Sequence, residues 1–133
     1  MFGALDTSTS ALVAQRTRAQ AISANIANQH AHFDANGENN PFKRRITILA
    51  PGDPSTGNPH GVHVKEIMLD QHFKQKYDPT NPAADERGYI KTTNVDGMME
   101  QVNMLEASRS YEANIAAAEA TKSMIQTSLR LLA

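Results

Sequence analysis

Five histidines, His30, His32, His60, His63 and His72, are the side chains best suited to hold a metal, and His30/His32 and His60/His63 lie close in sequence. A zinc centre needs three or four ligands at characteristic spacings. No cysteine, HExxH run or suitably spaced carboxylate accompanies them, so they read as solvated loop histidines. Asp34-Ala35-Asn36-Gly37-Glu38 begins like a calcium loop, but such a loop has glycine sixth and glutamate twelfth, and Gly37 stands fourth. An Asx-rich turn accounts for it. There is no thiol nucleophile, no GxSxG and no phosphate-binding glycine loop, and Ser108 and Ser110 have no histidine beside them. No two carboxylates share an apolar, constrained setting of the kind hydrolytic pairs need. Neither an enzyme, nor a cofactor, nor a small-molecule substrate is expected.

The chemistry excluded, the elements remain. The chain of 133 residues has room for one domain with a modest core. Lys and Arg total 13 against 14 Asp and Glu, with no block of one sign, which argues against a nucleic-acid partner. No stretch approaches the roughly 18 apolar residues of a membrane span, and no basic-then-apolar leader opens the chain. A route outward without a cleaved signal is the one left open.

All six prolines, Pro41, Pro51, Pro54, Pro59, Pro79 and Pro82, and five of seven glycines fall between Gly37 and Gly88. Helix-breaking residues are thereby confined to the middle. The layout predicted is a mainly α, single-domain chain: a helix over 1–28, a loop-rich segment with short strands and an extended arm over 29–93, and a helix over 94–133. The first helix is expected to follow a polar cap at Asp6 or Thr7. Leu5, Leu12, Ala19 and Ile26 recur every seven residues along it, widened by Ile22, with Gln15, Arg16, Arg18, Gln20 and Ser23 opposite. The last helix carries Ile115, Ala118, Ile125, Leu129 and Leu132 at three- and four-residue steps. Upstream, Val95, Met98, Val102 and Leu105 form a second stripe, out of phase with the first near Ser108 to Tyr111, so one helix with two contact faces is expected. At about 1.5 Å per residue it would reach ~60 Å against ~37 Å for the first, so part of it must face other chains. Seven-residue seams specify coiled-coil-like packing, with an intramolecular helical hairpin as the simpler alternative.

In the middle, Arg45-Ile46-Thr47-Ile48-Leu49 and Val62-His63-Val64-Lys65-Glu66-Ile67 read as two short strands. Pro51 to Pro59 is dense in turn formers and poor in apolar residues, and is expected to be a flexible or adaptable loop. Phe73 to Pro79, and Gly88-Tyr89-Ile90-Lys91 leading into the last helix, read as an extended arm.

Ser23-Ala24-Asn25-Ile26-Ala27-Asn28 resembles the asparagine signature that ends the first helix of flagellar rod and hook proteins. Ala107-Ser108-Arg109-Ser110-Tyr111-Glu112-Ala113-Asn114, then Lys122-Ser123-Met124, is similar to the signature of that family's proximal rod subunits, as are Tyr77-Asp78-Pro79, Gly88-Tyr89 and Asn94-Val95. The chain departs from the family pattern at Gln29-His30-Ala31-His32-Phe33. The resemblance implies a self-assembling structural subunit of the flagellar basal-body drive shaft. Such a subunit is exported by the flagellar type III apparatus and assembled in the periplasm. Its implied partners are itself and other rod proteins, with the membrane ring, a surrounding ring and the export gate as further candidates. The residues expected at the assembly interface are Leu5, Leu12, Ile22, Asn25, Ile26, Asn28, Arg109, Tyr111, Glu112, Asn114, Ile115, Ile125 and Leu129. Asn25 and Asn28 are expected to cap or cross-link helix ends, and an Arg109–Glu112 pair to set registry between subunits. The competing function is a secretion adaptor that binds through the same helices without polymerising.

Overall fold

The computed structural model describes residues 2 to 133, so the first residue of the expected 1–28 helix lies outside it. Helix α1 spans Phe2–Ala27, strands β1 to β4 span Arg45–Asp53, Asn58–Leu69, Lys74–Tyr77 and Tyr89–Thr92, and helix α2 spans Gly97–Leu132. Two long helices thus flank a small β middle, as the distribution of proline predicts.

Helix α1 begins at Phe2 rather than after a cap at Asp6 or Thr7. Both residues sit inside it, and the hydroxyls of Thr7 and Thr9 turn back to donate to the carbonyls of Gly3 and Leu5 at 2.7 and 2.9 Å. A threonine that can bond one turn back is tolerated within a helix and need not start one. Helix α2 is capped by Asp96, whose backbone is extended and whose carboxylate accepts the N–H of Met98 at 3.0 Å.

The middle is more ordered than its composition suggests. Strands β1 and β2 form one long antiparallel hairpin, Arg45 opposite Leu69 and Asp53 opposite Asn58, with irregularities after Ile48 and after Pro51. Proline is admissible at Pro51 because a two-stranded sheet consists only of edges. The stretch expected as a flexible loop is therefore the hairpin tip. The Asp53 carboxylate accepts the Ser55 N–H at 2.9 Å and the hydroxyls of Ser55 and Thr56 at 2.6 and 3.1 Å. Gly57, at φ +68°, donates its N–H to the Asp53 carbonyl at 2.8 Å. Local side-chain bonds take the place of the apolar content that a floppy loop lacks. The extended arm likewise folds on itself: β3 and β4 pair antiparallel from Lys74–Thr92 to Tyr77–Tyr89, whose rings meet edge to face at 5.3 Å.

The first hairpin lies along α1. At its tip end Val62 N–H donates to Ser10 Oγ at 3.1 Å and Asn58 Nδ2 donates to Thr7 Oγ1 at 3.3 Å. Gly61 permits this approach, since a Cβ there would stand 3.0 Å from both Ser10 Oγ and Asp53 Cβ. Helix α2 packs antiparallel to α1, with Arg18 facing Glu106 at 3.1 Å and Asn25 facing Glu100 at 3.0 Å. The first helix is thus enclosed by the hairpin and the second helix together. Helices of 26 and 36 residues are about 39 and 54 Å long. Extending the register of those two pairs, roughly the last ten residues of α2 run past Phe2.

Among the described residues the buried apolar ones are few, and half of them are alanine: Ala14, Ala21, Ile22, Ile90, Val95 and Ala107. Met98, Val102, Leu105, Met124, Leu129, Leu131 and Leu132 of α2 all remain exposed. One chain alone gathers little apolar area, and single helices are marginal without burial.

Candidate functional site

The largest fully buried side chains among the described residues are polar. Asn25 is 0% exposed and Glu100 1%, and they meet where α1 ends, β1 begins and α2 makes its first turn. The Asn25 amide donates to Glu100 Oε2 at 3.0 Å and to the Arg45 carbonyl at 2.9 Å, while its oxygen accepts the Arg45 N–H at 2.8 Å. The guanidinium of Arg44 donates to Glu100 Oε1 through both Nε and Nη2, each at 2.7 Å. A carboxylate so buried is tolerated only when paired and fully hydrogen-bonded, and this one has two donor groups on one oxygen and an amide on the other.

Further polar ties reinforce the same end of the helix pair. Thr93 donates its hydroxyl to the Gln29 carbonyl at 2.6 Å, and Asn39 exchanges two hydrogen bonds of 2.8 Å with the backbone of Lys91. Asp70 accepts from the side chain of Asn94 at 3.0 Å and from the N–H of His72 at 2.9 Å. The backbone N–H of His72, then its ring and the Asn94 amide, hold the Asp70 carboxyl below its ordinary range. His32 accepts the Thr93 N–H at 3.4 Å. Burial, and then the charges of His30 and Lys76, push its imidazole down. The described residues hold no group of three or more metal-binding side chains, and Asp34 makes the Asx turn expected, accepting the N–H groups of Asn36 and Glu38.

Above this base the two helices present a groove of about 320 Å³ lined by Gln15, Arg16 and Ala19 of α1 and Ala107, Ser108, Tyr111 and Glu112 of α2. Ala19 belongs to the seven-residue stripe of Leu5, Leu12 and Ile26, all half-buried, so the stripe runs along the flank where the groove opens. Tyr111 and Ile115, 38% and 36% exposed, continue the apolar edge on α2. The side of α2 turned toward α1 is instead small and polar, with Ala107 buried and Ser110 and Asn114 half-buried. Met98, Val102 and Leu105 are exposed on the side away from it, whereas Val95, the first residue of their stripe, precedes the helix and is buried.

The structure thus distributes the expected interface residues over three environments. Ile22 and Asn25 lie inside the subunit and are used by its own fold. Asn28 and Asn114 donate to carbonyls of their own helices, Ala24 and Ser110, both at 2.8 Å, and Ile125 is half-buried. Leu5, Leu12, Ile26, Tyr111, Ile115 and Leu129 retain surface, as do Arg109 and Glu112, which form no ion pair with each other among the described residues. Neighbouring charges on an exposed helix gain too little to overcome side-chain entropy. Glu100 and Arg44 escape a reading of the sequence. The one available signal is that Glu100 stands among Met98, Met99 and Val102 with no cation one turn along.

Comparison with known proteins agrees with this architecture. The model of the flagellar basal body rod FlgEFG protein C-terminal family matches residues 86–131, which include β4 and nearly all of α2. The flagellar basal-body rod protein FlgC of Aquifex aeolicus is 40% identical over 130 aligned residues, covering 95% of this chain and 92% of the relative. That of Bacillus subtilis is 37% identical over 147, covering 98% and 97%, and that of Escherichia coli O157:H7 is 37% identical over 131, covering 95% and 93%. With identities of this size along almost the whole of both partners, the chain belongs to the FlgC family of flagellar basal-body rod proteins.

Proposed function

We propose that this chain is a structural subunit of the flagellar basal-body rod, held in place by lateral packing of its terminal helices and transmitting torque with no chemistry of its own. The observation that carries the reading is the apolar flank of the helix pair. Ala19 of the heptad stripe and Tyr111 of α2 line an open groove, the rest of the stripe is only half-buried, and the buried core stays small. A third helix laid there would bury the area that the isolated chain leaves in water. Leu5, Leu12, Ile26, Tyr111, Glu112 and Ile115 are the contact residues of this surface, with Arg109 at its edge. The rigid polar base built on Asn25 and Glu100 fixes the direction of the helix pair, which a torque-bearing element requires.

Within this reading the subunit sits in the proximal rod, in the periplasm, beside other rod proteins and near the membrane ring. It reaches that place through the flagellar type III apparatus. No helix among the described residues is long and apolar enough to cross a membrane. Deleting the chromosomal copy should abolish swimming and leave basal bodies without a complete rod, and a plasmid copy should restore both. Normal rods in the deletion strain would sink the proposal. A stable complex of fixed small size, with no incorporation into rods, would favour the adaptor instead.

A further inference from the structure

The molecule has a second large concavity on the opposite flank of α1, between that helix and the first hairpin. Its volume is about 420 Å³ and its apolar floor is made by Val13, Ala14, Val62 and Val64. Val13 is 61% exposed in it, so none of the described residues fills the space. Asp6 and Asp53 stand among its polar lining, and no Lys or Arg lines it among the described residues. The hydroxyl and N–H of Ser55, joined by Thr56, hold the Asp53 carboxyl below its ordinary range, so this rim is negatively charged at neutral pH.

Beyond the N-terminal end of α1 the tail of α2 has the complementary character. Leu129, Leu131 and Leu132 are 61%, 83% and 85% exposed, and Arg130 stands between them. The tail cannot enter the groove of its own chain. Helix α2 packs on another side of α1, antiparallel to it, and its last turns travel away beyond Phe2. We propose that the α2 tail of one copy seats its leucines in the α1–hairpin groove of a second copy, with Arg130 against Asp6 and Asp53. Socket and tail are different surfaces, so one copy can engage a neighbour through each and link copies in series; a ladder longer than a dimer in the test below distinguishes this from a reciprocal exchange between two copies. The inference rests on the reading of the chain as a self-associating rod subunit and specifies which surfaces meet.

The chain contains no cysteine, which makes a direct test simple. Val13→Cys and Leu131→Cys, together in a copy expressed in cells lacking their own, should give a disulfide-linked ladder of this chain when basal bodies are mildly oxidised. Either substitution alone should give none. Intact rods with the doubly substituted chain still monomeric, or with its tail thiol linked to a different protein, would overturn the proposal and leave the rod function standing. Absence of the wild-type chain from basal bodies would remove both. If the paired cysteines block assembly, charge exchange decides: Asp6→Lys and Arg130→Glu should each lower rod yield about threefold and together restore it, and failure of the pair to restore it overturns the contact.

Discussion

Asn25 does what no similar side chain can. Its amide must give one N–H to a carbonyl and the other to a carboxylate while its oxygen takes a backbone N–H. Asn25→Asp keeps the acceptor, loses both donors and sets a second negative charge about a hydrogen-bond length from Glu100. The variant should lose on the order of 3 kcal/mol in urea unfolding, as expected for a broken buried polar pair, and more than Asn25→Ala. Equal losses would mean that charge at the junction does not matter. His32 gives a pH signature of its own. The fold favours its neutral form, so stability is intact above the ordinary imidazole value of 6.5 and declines as pH falls below it toward the depressed folded value. Thermal unfolding from pH 7 to pH 5 should therefore show a steeper loss for the wild type than for His32→Gln, and parallel curves would refute the assignment.

Among the elements, the hairpin and α2 are held by different means. The hairpin follows α1 along its length, and its closest approach depends on Gly61. Gly61→Val should lift the tip from Ser10 and cost about 1–3 kcal/mol, with hydrogen exchange rising in residues 51–64 while α2 stays protected near Glu100. Helix α2 is clamped at its start by Asp96 and Glu100 and has only exposed leucines at its end. Amide protection in the free chain should fall along α2 from about Gly97 toward Leu132, and the last turns should become protected in isolated rods. Uniform protection in the monomer would instead identify a self-sufficient helical hairpin.

At the level of the whole molecule, stability and assembly should be separable, since the buried residues that hold the fold are not those proposed to face neighbours. Leu12→Glu and Tyr111→Glu lie on the half-open flank, so each should change the unfolding free energy of the monomer by no more than about 1 kcal/mol. Each should nevertheless block incorporation into rods and abolish swimming. A large loss of monomer stability, or normal swimming, would contradict the assembly surface drawn from the groove.

The sequence by itself determined the layout of helix, β-rich middle and helix, because proline and glycine act locally and their confinement to Gly37–Gly88 leaves the ends free. It determined that stripes of seven-residue period exist and, through the asparagine and Ser-Arg-Ser-Tyr-Glu motifs, which family to expect. What each stripe faces was decided only by tertiary structure. Asn25 and Glu100 are 75 residues apart and Arg18 and Glu106 are 88 apart, so no local pattern reveals that one pair becomes the sealed base and the other a surface bridge. The Pro51–Pro59 tip, too, is steadied by a distant surface of α1, where Val62 donates its N–H to Ser10, 52 residues earlier in the chain. Pattern is a property of neighbours along the chain, whereas burial is a property of partners that the folded chain alone brings together.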